Sequence, residues 1–253
     1  FFKEHGHCLK EGVATDWTHR EAIAKLLRFE SSFTEAEKTT SLPDYVSRMP
    51  EEQKEIYWML APSRESAEAS PYFEVFREKK YEVLFLSDPR DEFVMEHLRE
   101  FDSRKVVSAE KAELALEKES TGLSAETAQQ LAAFMKETLG SRVGEVRSSK
   151  RLVGSPAVAI DSDKHLTASM RRVLKSMNRD GGAGPLDSAP DLEINPDNSM
   201  IGQLEKIRHT DPALAAQVTE QILDNSLVAA GLLDDPRTML GRLNTLLEKL
   251  LSH

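Results

Sequence analysis

Residues able to do chemistry are scattered thinly along this chain. His5, His7 and Cys8 fall close together near the start, and imidazole and thiolate are both zinc ligands. No fourth ligand follows at a usual spacing, so the group reads as ordinary surface residues. Gly181-Gly182-Ala183-Gly184 has the composition of a phosphate-cradling loop. Pro185, however, stands where the lysine of such a loop belongs, and no apolar strand leads into it. Neither Gly-x-Ser-x-Gly nor His-Glu-x-x-His occurs. His97 could act as a base, yet no nucleophile is legible as its partner. The carboxylates are numerous and lie in polar stretches, so no two stand out as an acid and base pair. The residues single out no catalytic, cofactor-binding or metal site.

The elements that would have to position such groups are better defined. The chain has 253 residues, one cysteine, 12 glycines and 11 prolines, is 40% hydrophobic and 30% charged, and carries a formal charge of -10. That length suggests two domains or three. One cysteine excludes a disulfide framework and favours a reducing compartment. The acidic balance argues against nucleic acid as an obligate partner. The longest apolar run, Leu227 to Leu233, is far short of the roughly twenty residues of a membrane span, so no membrane partner is expected. Phe1 is not an initiator methionine, and the chain reads as a piece of something longer. Charge is unevenly placed: residues 1–140 hold 28 acidic and 19 basic side chains, whereas residues 141–180 hold nine basic and four acidic.

The first segment reads as helical, with Thr18 and Glu21 at capping-box spacing. From residue 41 short elements alternate. Glu55 to Ala61 reads as a strand, and Ser70-Pro71 opens a helix through Phe76. Val83 to Leu86 is a continuous apolar run that suits a strand covered on both faces. A helix from Asp91 to Phe101 and a strand at Val106-Val107 complete a βαβαβ unit. Glu117 to Ser124 is polar and marks a domain boundary. Beyond it come a helix over 126–139, strands near 143–152 and 157–160, and a helix over 163–178. A glycine-rich loop to Pro190 follows, then three helices, two of them opened by Asp211-Pro212 and Asp235-Pro236.

Three apolar features do not look like simple core. On the helix over 163–178, Leu166, Met170, Val173 and Met177 form one stripe with Leu174 at its margin, while Lys164, Arg171, Arg172, Lys175 and Arg179 lie opposite. This is a basic amphipathic helix that either packs on its own domain or offers an adaptable, methionine-bearing surface. On the helix from Asp91, Val94, Leu98 and Phe101 mark the buried stripe. Phe93 lies off it and is either tucked under a neighbour or presented to a partner. Near the end, Met239, Leu240, Leu243, Leu246, Leu247, Leu250 and Leu251 make a leucine face broader than one neighbouring helix covers. Pro212 to Gly231 adds Leu214, Val218, Ile222, Leu223, Leu227 and Ala230. The economical burial is against the same hairpin of a second chain, in a two-fold four-helix bundle.

Specific strings carry a resemblance. Glu21-Ala-Ile-Ala-Lys-Leu-Leu-Arg-Phe29, Ser41-Leu-Pro-Asp-Tyr-Val-Ser-Arg48, Glu82-Val-Leu-Phe-Leu-Ser87 with Asp91-Glu92, and Leu98-Arg-Glu-Phe-Asp102 resemble the middle domain of the heat-shock protein 90 chaperones, bacterial HtpG branch. Leu139-Gly-Ser-Arg-Val143, Leu192-Glu-Ile-Asn-Pro196, Asp235-Pro-Arg237 and Arg242-Leu-Asn-Thr-Leu-Leu247 look like that family's C-terminal dimerisation domain. Ala229 to Pro236 is also similar to the mitochondrial branch.

The resemblance implies an α+β or α/β architecture. Residues 1–119 would be the end of the middle domain, with a helical connector over 1–40 and an α/β subdomain over 41–119. Residues 120–253 would be the dimerisation domain, ending in the helical hairpin of a dimeric four-helix bundle. It implies a stress-response chaperone that binds unfolded or partly folded clients as a homodimer, in the bacterial cytoplasm or alternatively the mitochondrial matrix. Client contacts would be Glu92 and Phe93 in the middle domain, and Leu166, Met170, Val173, Leu174 and Met177 on the amphipathic helix. The dimer interface would use Leu227, Met239, Leu240, Leu243, Leu246, Leu247 and Leu250. ATP and magnesium would be held by a domain preceding residue 1, so no cofactor and no hydrolysis are expected of this chain. It ends Leu250-Leu-Ser-His253 in place of Met-Glu-Glu-Val-Asp, so helical-repeat co-chaperones should not bind there. Two other readings are an enzyme fragment with substrate near Ser87–Asp91, at a strand end, and a purely structural dimerisation scaffold.

Overall fold

A computed structural model describes residues 2–117, 121–161, 189–233 and 235–251. The chain divides into two compact units, Phe1–Leu114 and Ala115–His253. The expected amphipathic helix over 163–178 and most of the glycine-rich loop after it lie outside the described residues.

The first unit begins with helices α1 (Phe2–Thr15) and α2 (Arg20–Ala24) and strand β1 (Glu30–Ser31). There follow α3 (Leu42–Arg48), β2 (Ile56–Leu60), α4 (Arg64–Glu68), α5 (Glu74–Lys79), β3 (Val83–Leu86), α6 (Pro89–Leu98), β4 (Glu100–Phe101) and β5 (Arg104–Ser108). The sheet runs in the order β1-β3-β2-β5-β4. Central β2 is parallel to β3, pairing Tyr57 with Val83, and to β5, pairing Ile56 with Val106. That is the expected βαβαβ arrangement. All four residues of β3 are buried, as its unbroken apolar run requires. Residues 1–40, expected as a helical connector, also supply β1, which pairs antiparallel with β3 at the sheet's edge.

Two local expectations need correction. Thr18 and Glu21 form no capping box: α2 has His19 at its N-cap with no side-chain bond to the helix. The Asp16 carboxylate instead accepts from the backbone N–H groups of Thr18 and His19, both at 3.0 Å. Nor does the helix from Asp91 reach Phe101. It starts at Pro89, capped by Asp88, whose side chain accepts from the Arg90 N–H. It stops at Arg99, which takes φ 55°. Phe101 is still buried, but from β4.

The Ser41–Arg48 string proves structural. Ser41 caps α3, and Tyr45 is buried, donating its hydroxyl to the Glu82 carbonyl and accepting from Tyr57 N–H and Gln53. Arg48 clasps the buried Glu82 carboxylate at 2.7 and 3.0 Å, and Ser31 donates to the same group at 2.6 Å. A buried carboxylate is tolerated only when so satisfied. This network ties α3, β1 and the segment leading into β3 together.

The second unit contains α7 (Ala125–Leu139), β6 (Val146–Ser148), β7 (Ala157–Ile160), β8 (Asp191–Ile194), α8 (Ser199–Thr210), α9 (Pro212–Ala229) and α10 (Leu240–Leu251). Central β8 is parallel to β6 and antiparallel to β7. It buries Leu192 and Ile194 while Asp191 and Glu193 face outward. Its core gathers Leu131, Met135 and Leu139 of α7 with Leu192, Ile194, Ile201, Leu204, Ile222 and Leu223. Both expected Asp-Pro starts appear. Asp211 caps α9 by accepting from Leu214 N–H, and Asp235 caps a short 3-10 turn, Pro236–Met239, that leads into α10. No helix of the described residues is long and apolar enough to cross a membrane.

Candidate functional site

In the first unit the site is built on α6. Its buried side packs Val94, Met95 and Leu98 into the core, where α1 contributes Val13 and Leu9. Met95 is buried as well as the Val94–Leu98 stripe, so α6 is covered on two flanks. Phe93 faces away and is 54% exposed. Its ring lies 4.0 Å, centroid to centroid, from that of His97. His97 Nδ1 is 2.8 Å from the Phe93 carbonyl; a carbonyl only accepts, so Nδ1–H is the donor. That bond fixes the imidazole beside the phenyl ring. Glu92, paired with Phe93 in the resemblance, is only 4% exposed, so the ring supplies the surface of this pair.

Helix α6 is itself held by two cations. Lys10 of α1 forms an ion pair with the largely buried Asp91. Burial pushes the Asp91 carboxyl above the usual aspartate range, with Lys10 opposing that shift. Arg20 of α2 donates to the carbonyls of Val13 at 2.7 Å and Ala14 at 3.4 Å, near the end of α1, and to that of His97 at 3.0 Å. One guanidinium thus satisfies carbonyls left without helical partners at two helix ends.

The strand end near Ser87–Asp91 does form a cavity, of about 340 Å³. Its lining cations are engaged: Lys10 with Asp91, Arg64 with Glu30 and Glu68, and Arg28 with the carbonyls of Lys25 and Leu27. It shows a network of internal pairs, with no nucleophile set against a base. His7 and Cys8 lie side by side on α1, Sγ to Nε2 3.3 Å. Among the described residues no group of three or more histidine, cysteine, aspartate or glutamate side chains is arranged to hold a metal ion.

In the second unit the site is the last hairpin. No residue of α10 is buried. Leu240 and Leu247 are each 48% exposed, Leu250 74% and Leu251 89%. Leu243, Leu246, Met239 and Leu227 are half-buried, and Val228 of α9 is also exposed. Charge helps hold α10 in place. Arg242 pairs with buried Asp224 and with Glu220 at 2.8 Å, and Asp224 also receives Arg142 from beyond α7. This cluster, which spacing alone could not reveal, pins α10 to α9 by its polar side, with Leu240, Leu247, Leu250 and Leu251 left exposed. Leu166, Met170, Val173, Leu174 and Met177 lie outside the described residues.

Each unit thus carries exposed apolar side chains, Phe93 in the first and Leu240, Leu247, Leu250 and Leu251 in the second. The Hsp90 protein family model matches residues 1–253, and the chain belongs to the Hsp90 family. It is 40% identical to the chaperone protein HtpG of Desulfotalea psychrophila, covering 100% of this chain and 42% of that protein. It is 43% identical to HtpG of Desulfitobacterium hafniense, over 99% of this chain and 41% of the relative. It is also 40% identical to the mitochondrial heat shock protein 75 kDa of Rattus norvegicus, over 99% of this chain and 37% of the relative. The chain therefore spans about two fifths of the length of the curated relatives it matches.

Proposed function

We propose that this chain is the dimerising, client-holding part of an Hsp90-family chaperone. The observation that carries the reading is α10: a helix of 12 residues of which half are leucine, with none of them buried in its own chain. Burying the exposed parts of Leu240, Leu247, Leu250 and Leu251 against a second copy would release about 5 kcal/mol per chain, or about 10 per dimer. Association costs are of the same order, so the half-buried Leu227, Met239, Leu243 and Leu246 are needed at the same seam. The symmetric solution is a four-helix bundle made by two copies of α9 and α10.

Clients would be met by Phe93. An exposed ring already fixed by His97 loses little freedom on contact, which favours weak and reversible binding of apolar segments. Dimerisation presents two such surfaces to one client and raises avidity without tight binding at either. The segment over 163–178, whose sequence has the spacing of a basic amphipathic helix, is proposed as the second contact, through Leu166, Met170, Val173, Leu174 and Met177. Nucleotide binding belongs to the remainder of the family's chain in this reading, and the compartment is proposed as the bacterial cytoplasm. The test is a paired variant, Leu247→Asp with Leu250→Asp. Both side chains are exposed in the single chain, so the monomer should fold unchanged while the dimer dissociates. A dimer that survives the pair sinks the α10 interface.

A further inference from the structure

The exposed aromatic surface does not end at Phe93. Trp17, in the turn before α2, is 78% exposed, an unusual position for the largest apolar side chain. It is held from beneath. The Arg20 guanidinium lies 4.0 Å from its ring centroid, and the same guanidinium is fixed by the carbonyls of Val13, Ala14 and His97. The His97 ring in turn lies tilted against that of Phe93. A continuous chain of contacts, Trp17–Arg20–His97–Phe93, therefore runs across α2 and the outer side of α6, with an exposed aromatic at each end and a clamped cation between them. Each of the three Arg20 guanidinium nitrogens donates to a carbonyl, so Arg20 acts as a positioning residue that stays against the Trp17 ring and holds α6 in place.

We infer that Trp17 is a second subsite for the segment that Phe93 engages, and that the preferred occupant is an unfolded stretch with two separated aromatic or large aliphatic side chains among basic residues. The inference rests on the client-holding role proposed for Phe93. The charge preference follows from the unit's own balance: Phe1–Leu114 carries 24 acidic and 17 basic side chains; Asp16 and Glu21, near Trp17 in sequence, are both substantially exposed, Asp16 paired with His19 and Glu21 with Lys25. Two anchored aromatics would reward a segment carrying both apolar residues over one carrying either alone.

The chain reports on itself, because its two tryptophans differ: Trp17 is exposed and Trp58 of β2 is buried. The experiment uses the 253-residue chain and labelled, unstructured lysine-serine-glycine peptides with one or two phenylalanines, read by anisotropy and by acrylamide quenching of Trp17. The two-phenylalanine peptide should bind about tenfold tighter than the single one and should shield Trp17 from acrylamide. Trp17→Ala should erase that advantage and leave the single-phenylalanine peptide within about twofold. An advantage that persists in Trp17→Ala, or a Trp17 that stays fully quenchable, overturns the subsite while leaving Phe93 standing. Phe93→Ala binding both peptides as the parent does would instead overturn the Phe93 reading and this one with it. Equal binding of peptides with glutamate in place of lysine refutes the basic occupant.

Discussion

The polar clamp behind α10 makes a sharp stability prediction at Asp224. Its carboxylate is 4% exposed and receives Arg142 on one oxygen and Arg242 on the other. Asp224→Asn keeps the volume but removes the charge and turns an acceptor into an N–H₂ that faces a guanidinium. Each charge-assisted bond lost is worth about 1.5–3 kcal/mol. Arg142 is 42% exposed and returns partly to water, so its share is discounted. Arg242 keeps Glu220 at 2.8 Å. The net expectation is a loss of about 2–4 kcal/mol, with the α10 register loosened. The assay has an internal control. Trp17, Trp58 and all four tyrosines lie in Phe1–Leu114, and the second unit has neither residue type. In a urea titration the far-ultraviolet circular dichroism transition of the second unit should therefore move to lower urea, while the tryptophan fluorescence transition stays. Equal stability within about 0.5 kcal/mol, or a matching shift in fluorescence, would refute the clamp as a local support of α10.

Three further outcomes follow from the geometry. Glu82→Gln breaks the carboxylate clasp made by Arg48 and Ser31 and should cost about 2–3 kcal/mol, seen in the fluorescence transition rather than in the second unit. Gly122→Ala places a methyl group against the backbone carbonyl of Pro196; the segment must shift, costing about 1–3 kcal/mol, visible by circular dichroism alone. Asp88, held below the ordinary carboxyl value of 3.8 mainly by Arg90, contributes stability that is present above that value and lost as pH falls through its lowered one. Asp91 is shifted upward by burial, so its contribution has the opposite sign: full at pH below 3.8 and lost as pH rises through its raised value. Asp88→Asn should thus flatten the acid limb of the first unit's stability, read by fluorescence between neutral pH and pH below 3.8, and an unchanged limb would exclude Asp88 as a contributor.

Elements with an unbroken physical signal were legible from residue types alone. The apolar run Val83–Leu86 is a fully buried parallel strand, and Asp211-Pro212 and Asp235-Pro236 cap the structures they precede. Strand β8 escaped because its signal is only two buried residues, Leu192 and Ile194, alternating with Asp191 and Glu193 beside a glycine-rich stretch. The end of α6 escaped because Arg99, Asp102 and Ser103 adopt positive φ without a glycine to announce it. At Asp16, a carboxylate two residues upstream displaced the capping box that Thr18 and Glu21 spelled out. Of the candidate site, the wheel placed Phe93 off the buried stripe of α6 and the leucines of α10 in excess of what one neighbour covers. The supports were invisible: Arg20 with His97, and Asp224 with Arg142, are joined by folding across tens of residues, and no local pattern encodes them.

The central claim is that this chain works as a pair joined through α10. The most direct test is the mass of the 253-residue chain in solution, by light scattering at micromolar concentration. Pairing through α10 gives twice the 28.4 kDa of one chain, falling to a single mass when Leu247 and Leu250 are both changed to aspartate. A parent chain that scatters at 28.4 kDa would contradict it.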